Sequence, residues 1–238
     1  AYQHARAYAL DRVQGRTLLG GKTIAGHPDV RRMLMDMKAR VEAMRAVAYF
    51  CAGQMDRAHG HPDAAEREQA QALVELLTPI VKGWCTDHAL HVASDGVQVH
   101  GGMGYVEETG AAQHLRDARI TAIYEGTTAI QANDLIGRKI AREQGATIKR
   151  VIAAMRADAA ALDGDLAGIG ERQLAAIAAL DKAVDWIVAN FAAQPKAAHA
   201  GAVPFLFLFG ITAGGWQMGR AAVIARAKVA AGDSDPFW

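Results

Sequence analysis

The chain has 238 residues, of which 51% are hydrophobic, 6% aromatic and 21% charged, with only six prolines. That is enough apolar material for one large domain or two small ones without covalent staples, and β-branched and aromatic alternation is too sparse for an all-β fold. Lys plus Arg number 26 against 25 for Asp plus Glu, a formal charge of +1, so no field favours nucleic acid as a partner. The two cysteines, Cys51 and Cys85, form neither a disulfide framework nor a metal knuckle and point to a reducing, cytoplasmic setting.

The opening AYQHARAYALDR lacks a secretory pattern and reads as though it begins inside a helix, as a piece of a longer polypeptide would. From Pro28 to His59, apolar residues recur at Val30, Leu34, Met37, Val41, Met44, Ala48, Cys51 and Met55, alternating four and three apart. This predicts a long bundle helix, with Pro28 suited to its first turn. Gly60-His61-Pro62 breaks the pattern. A second long segment places Leu73, Leu77, Ile80 and Trp84 on one stripe with a kink expected at Pro79, which predicts two antiparallel helices and an all-α, up-and-down bundle.

Gln98-Val-His-Gly-Gly-Met-Gly-Tyr105 is too rich in glycine for helix or strand, and a short helix is expected near 111–118 and a stronger one over 127–142. After Gly145 the texture becomes Ala-rich, predicting a second helical unit with segments over 147–162, 171–193 and 205–231. The boundary expected is therefore 1–144 for the bundle and 145–238 for a helical extension. The extension carries nine Lys and Arg against eight Asp and Glu. Its apolar stretch from Ala202 to Trp216 is shorter than the roughly 18 to 20 residues of a membrane span and contains Pro204, so a buried helix and no membrane association are expected.

The densest run of unusual residues lies between Gln98 and Lys139. Taken alone, Glu125 favours the N-terminus of the following helix through its dipole, an effect of about 0.3 to 1 kcal/mol, while Gly126 makes a turn and Thr127 and Thr128 suit a cap. GGMG taken alone is a turn without the spacing of a dinucleotide fingerprint. His88 and His91 lie three apart, but nothing completes a metal site, and none is expected. The tyrosines and tryptophans read as core or interface residues.

Together, QVHGGMGY, RDARI and IYEGTTAIQ, in that order and spacing, resemble the carboxy-terminal half of the flavin-dependent acyl-CoA dehydrogenases. YALDRVQGR and GHPDVRRMLMDM resemble the family's preceding segment, so the likeness covers about residues 1 to 143. LTPIVKGW and EGTTAIQANDLIGRK resemble a longer branch that includes methylmercaptopropionyl-CoA dehydrogenases.

The resemblance implies α,β-dehydrogenation of an acyl-CoA with FAD, and Glu125 as the base that takes the α-proton. It implies that Arg12, Gln98, Gly101, Gly102 and Thr127 approach the cofactor, with Tyr124 and Gly126 beside the acyl chain. It also implies a homodimer or tetramer and an electron-transfer flavoprotein as acceptor. Arg116 and Asp117 are expected to pair beneath the Glu125 loop. Gln14 stands where the family usually has an aromatic residue, and the family's upstream domains have no counterpart, so FAD is not expected to stay on this chain alone. The alternative is a homologue that keeps the fold for nucleic-acid or protein association, which the nine-to-eight charge balance does not favour.

Overall fold

A computed structural model describes residues 1–235. Among them the only β-type pairing is one isolated antiparallel bridge between Val13 and Thr23, and the fold is all-α. The chain runs through α1 (Tyr2–Asp11), α2 (Pro28–Gly60), α3 (Ala64–Pro79), α4 (Cys85–His100), α5 (Gly102–Tyr105), α6 (Ala111–Thr121), α7 (Thr128–Asp134), α8 (Ala146–Ala160), α9 (Ala167–Asn190), α10 (Pro195–Ala200) and α11 (Ala202–Ala230).

Pro28 opens α2, where its missing N–H leaves no bond unmade. The buried positions of α2 follow the expected stripe only in part. Met37 and Cys51 are buried, but Met33, Val47 and Gln54 join them, whereas Met55 is 46% exposed. Three residues then separate α2 from α3. Asp63 caps α3 by accepting from the Ala65 N–H at 2.8 Å, and Arg57 reaches Glu66 across the connection at 2.5 Å.

Pro79 marks the expected disturbance, and its form is specific. The α-helix gives way to one wide π-turn, Ile80–Trp84, because proline donates no hydrogen bond and crowds the carbonyl one turn back. A second π-segment, Leu135–Ala141, continues α7, so the helix expected over 127–142 is present but changes its winding half-way.

The glycine-rich stretch needs correction. Gln98, Val99 and His100 finish α4, Gly102–Tyr105 form a further helical turn, and the break is confined to Gly101 at φ +61° and ψ −141°. Packing overrides weak propensity here. Val92 and Val99 belong to a buried cluster with Ala5, Ala9, Ile24, Met33 and Met37. Gly104 also lets the following turn settle on α4, since a Cβ there would lie 2.2 Å from the Val97 carbonyl oxygen.

The contacts divide into two units, one formed by Ala1–Met44 with Cys85–Thr127, the other by Arg45–Trp84 with the chain from Thr128 onward. In the first unit α4 packs against α1 and α6. In the second, α8, α9 and α11 pack on one another, and α11 also covers α7 and the Ile80–Trp84 turn. Helix α11 extends well past the apolar stretch that marks it in the sequence. By length and composition it could cross a membrane, yet 61% of its most apolar window is buried inside the protein, as in the core helix of a soluble domain.

Candidate functional site

Helix α1 ends where Arg12 turns to extended backbone (φ −66°, ψ 122°), its N–H still bonded to the Tyr8 carbonyl at 2.8 Å. The Arg12 carbonyl accepts from the Ile24 N–H at 2.8 Å, and His27 Nε2 contacts the Gln14 carbonyl at 2.9 Å. These ties hold the segment after α1 against Ile24 and His27, and the end of α4 lies opposite. Between them lies a cavity of about 450 Å³ whose walls include Arg12, Gln14, Gln98, Gly101 and Gly102.

The chemistry of these walls suits a phosphate-bearing ligand. The Arg12 side chain is exposed, and its one hydrogen bond among the described residues is to Gln14 Oε1 at 3.3 Å, which leaves its charge without a carboxylate. Gly102 has an ordinary backbone conformation and no atom within 4 Å of where a Cβ would be, so packing within the chain does not require glycine there. A bare backbone in open space is what close approach of another molecule uses.

His100, inside the same motif, is a residue the sequence reading passed over. It is 3% exposed, with Nδ1 2.7 Å from the Gly96 carbonyl and its ring stacked on Tyr8 at 4.3 Å and edge-on to His4 at 4.6 Å. Its Nε2 is buried without a partner among the described residues. Burial, followed by the neighbouring His100 and His114, lowers the pKa of His4. The signal in the sequence was a histidine at an otherwise apolar place in QVHGGMGY.

Tyr124, Glu125, Gly126 and Thr127 do not line this cavity. They occupy the turn between α6 and α7, where Tyr124, Glu125 and Thr127 are exposed. Glu125 adopts φ +52°, a left-handed conformation uncommon for a side chain larger than Asn, and Gly126 follows at φ +92°. Such a position costs on the order of 1 kcal/mol or more and persists where the surroundings impose it. No residue pattern around Glu125 signals this strain. The expected Arg116–Asp117 pair does not form. Arg116 instead pairs with Glu107 at 2.9 Å, and Asp117 accepts from Gln113 at 2.7 Å, because adjacent helical residues point apart while residues three or four apart meet.

No group of three or more His, Cys, Asp or Glu among the described residues is arranged to hold a metal ion. Burial pushes the Cys85 thiol up to about 12 and raises that of Cys51, which disfavours the thiolate form at both.

Residues 1–141 match the family described as "Acyl-CoA dehydrogenase, C-terminal domain", and residues 145–238 match "Acetyl-CoA dehydrogenase C-terminal like". The chain belongs to the acyl-CoA dehydrogenase family. It is 48% identical over its whole length to a 3-methylmercaptopropionyl-CoA dehydrogenase of Ruegeria pomeroyi, covering 41% of that protein. It is 35% identical, again over its whole length, to the broad-specificity linear acyl-CoA dehydrogenase FadE5 of Mycobacterium tuberculosis, covering 42% of it. Among solved structures, Caenorhabditis elegans ACDH-11 in complex with C11-CoA shares the fold with a TM-score of 0.74 at 21% identity, over 90% of this chain and 35% of that one. The chain thus spans about two fifths of the length of these two curated acyl-CoA dehydrogenases.

Proposed function

We propose that this chain is the carboxy-terminal part of a cytoplasmic FAD-dependent acyl-CoA dehydrogenase that forms the α,β double bond of an acyl-CoA thioester, with Glu125 as the base. The observation that carries the reading is the convergence of Arg12, Gln98, Gly101 and Gly102 on one cavity in a chain of this family. When bound, FAD supplies the acceptor for the hydride that leaves the β-carbon.

The chain's own residues do the rest. Arg12 would hold the cofactor's diphosphate with its guanidinium, and the bare backbone at Gly101 and Gly102, beside the Gln98 amide, would receive the dinucleotide of a neighbouring subunit in a homodimer or tetramer. Thr127 would line the cofactor, and Tyr124 and Gly126 would flank the acyl chain. The Glu125 carboxylate accepts the α-proton while its own N–H donates to the thioester oxygen, which takes up negative charge as the C–H bond breaks. A bound acyl chain would exclude water from the proton transfer at Glu125. An electron-transfer flavoprotein would serve as the electron acceptor.

The two relatives, by name, suggest the first substrates to test, 3-methylmercaptopropionyl-CoA and linear acyl-CoAs. In the full-length protein, Glu125→Gln is expected to leave flavin bound and to cut acyl-CoA oxidation by about a thousandfold or more, because an amide does not accept the proton. Turnover near that of the unsubstituted enzyme rejects the assignment.

A further inference from the structure

A second cavity, of about 310 Å³, lies in the unit formed by Arg45–Trp84 and the chain from Thr128 onward. Its walls come from α2, α3, α8 and α11. Gln54, Thr147 and Trp216 are each more than nine-tenths buried, and Arg57, Arg150 and Arg220 are exposed around them. Phe50 and Trp216 meet nearly at right angles, with ring centroids 5.3 Å apart, and form an aromatic corner.

The three arginines differ in how far they are neutralised. Arg57 is bound to Glu66 at 2.5 Å. Arg220 lies over the Phe50 and Trp216 rings at 5.7 and 5.5 Å, donates to Gln217 Oε1 at 3.2 Å, and has Asp158 Oδ2 only at 3.8 Å. That carboxylate oxygen already accepts from Trp216 Nε1 at 2.7 Å. Arg150 donates to Thr147 Oγ1 at 3.3 Å and pairs with no carboxylate among the described residues. Asp158 is the one acidic residue in the walls, so the cavity carries an excess of positive charge.

Gln54 adds an independent observation. It is 7% exposed, yet its amide makes no hydrogen bond among the described residues. Its amide lies in the cavity wall, where a polar group of a ligand can reach it.

We propose that this cavity binds a small organic anion, a phosphate or carboxylate head carried on a planar apolar body. Arg150, with Arg220 beside it, takes the head through the planar donor fork that suits both groups. The body lies in the corner of Phe50 and Trp216 against Leu73, Val151 and Ala154, and a polar substituent on it reaches the Gln54 amide. This site involves none of the residues assigned to dehydrogenation and stands independently of that reading.

The test is titration of the full-length protein with phenyl phosphate, inorganic phosphate and benzyl alcohol, followed by calorimetry and tryptophan fluorescence. Phenyl phosphate is expected to bind about tenfold or more tightly than either of the others, since each lacks one half of the ligand. Arg150→Gln is expected to weaken it about tenfold without moving the thermal midpoint, Arg150→Lys to recover part of the loss, and Phe50→Leu to weaken phenyl phosphate but not inorganic phosphate. If Arg150→Gln fails to fold, Arg220→Gln provides the same comparison. No binding of phenyl phosphate, binding indifferent to both arginine substitutions, or binding abolished by Arg12→Ala instead overturns the proposal.

Discussion

Glycine has opposite consequences in the two units. In the second, Gly210 on α11 lies against the Trp84 ring, where an added Cβ would come within 2.2 Å of Cγ, and Gly83 faces Leu206 in the same way at 2.9 Å. There the missing side chain lets two helices close on an aromatic ring. In the first unit, Gly102 has nothing within 4 Å of its absent Cβ. A glycine packed from within serves the fold, whereas one facing open space beside an unneutralised arginine leaves room for something outside the chain.

Substitutions can break that contrast. The largest stability effect is expected at Phe209, fully buried beside Gly210. Phe209→Ala removes a ring from the second unit and should cost about 3 to 5 kcal/mol, read by denaturant unfolding. Gly210→Ala forces the Trp84 ring or the α11 backbone to move and should cost about 1 to 3 kcal/mol, or several degrees in thermal midpoint. A midpoint unchanged by that alanine would mean the Trp84 contact is not a constraint.

The first unit should behave in the reverse sense. Gly102→Ala is expected to change stability by less than about 0.5 kcal/mol, because it sits in helical backbone with free space around it. In the full-length protein it should nevertheless lower flavin retained after dialysis, as Arg12→Ala should through loss of a charge-assisted contact. Full flavin occupancy in both variants would separate this cavity from the cofactor.

The smallest effect sharpens the electrostatics of the second unit. The hydrogen bond from Lys149 holds the Asp181 carboxyl below its ordinary value, and Arg156 adds to it. A folded-state value below the unfolded one stabilises the protein above the unfolded pKa of about 4, and that contribution is lost as pH falls through the lower folded value. Asp181→Asn should therefore lower stability near neutrality by no more than about 1 kcal/mol and flatten the acid limb of the stability curve. An acid limb identical to that of the unsubstituted protein would show that the pair contributes nothing.

By itself, the sequence determined the all-α class, the helix opened by Pro28, the disturbance at Pro79 and the Ala-rich helices after Gly145. These follow from local propensity and from periodicity that each segment carries on its own. The order of QVHGGMGY, RDARI and IYEGTTAIQ also made the family legible. Only the tertiary structure decided the rest. Gln98–His100 is helical because Val99 is buried against residues far away in sequence, and Met55 is exposed although it lies on the predicted stripe because no element among the described residues covers it. Arg12 meets Gly102 at one cavity, Glu125 takes a left-handed backbone, and three arginines from α2, α8 and α11 surround a buried glutamine. The physical reason is common to all of these. They depend on which surfaces meet after the helices form, and a local pattern of residue types carries no record of its distant partners.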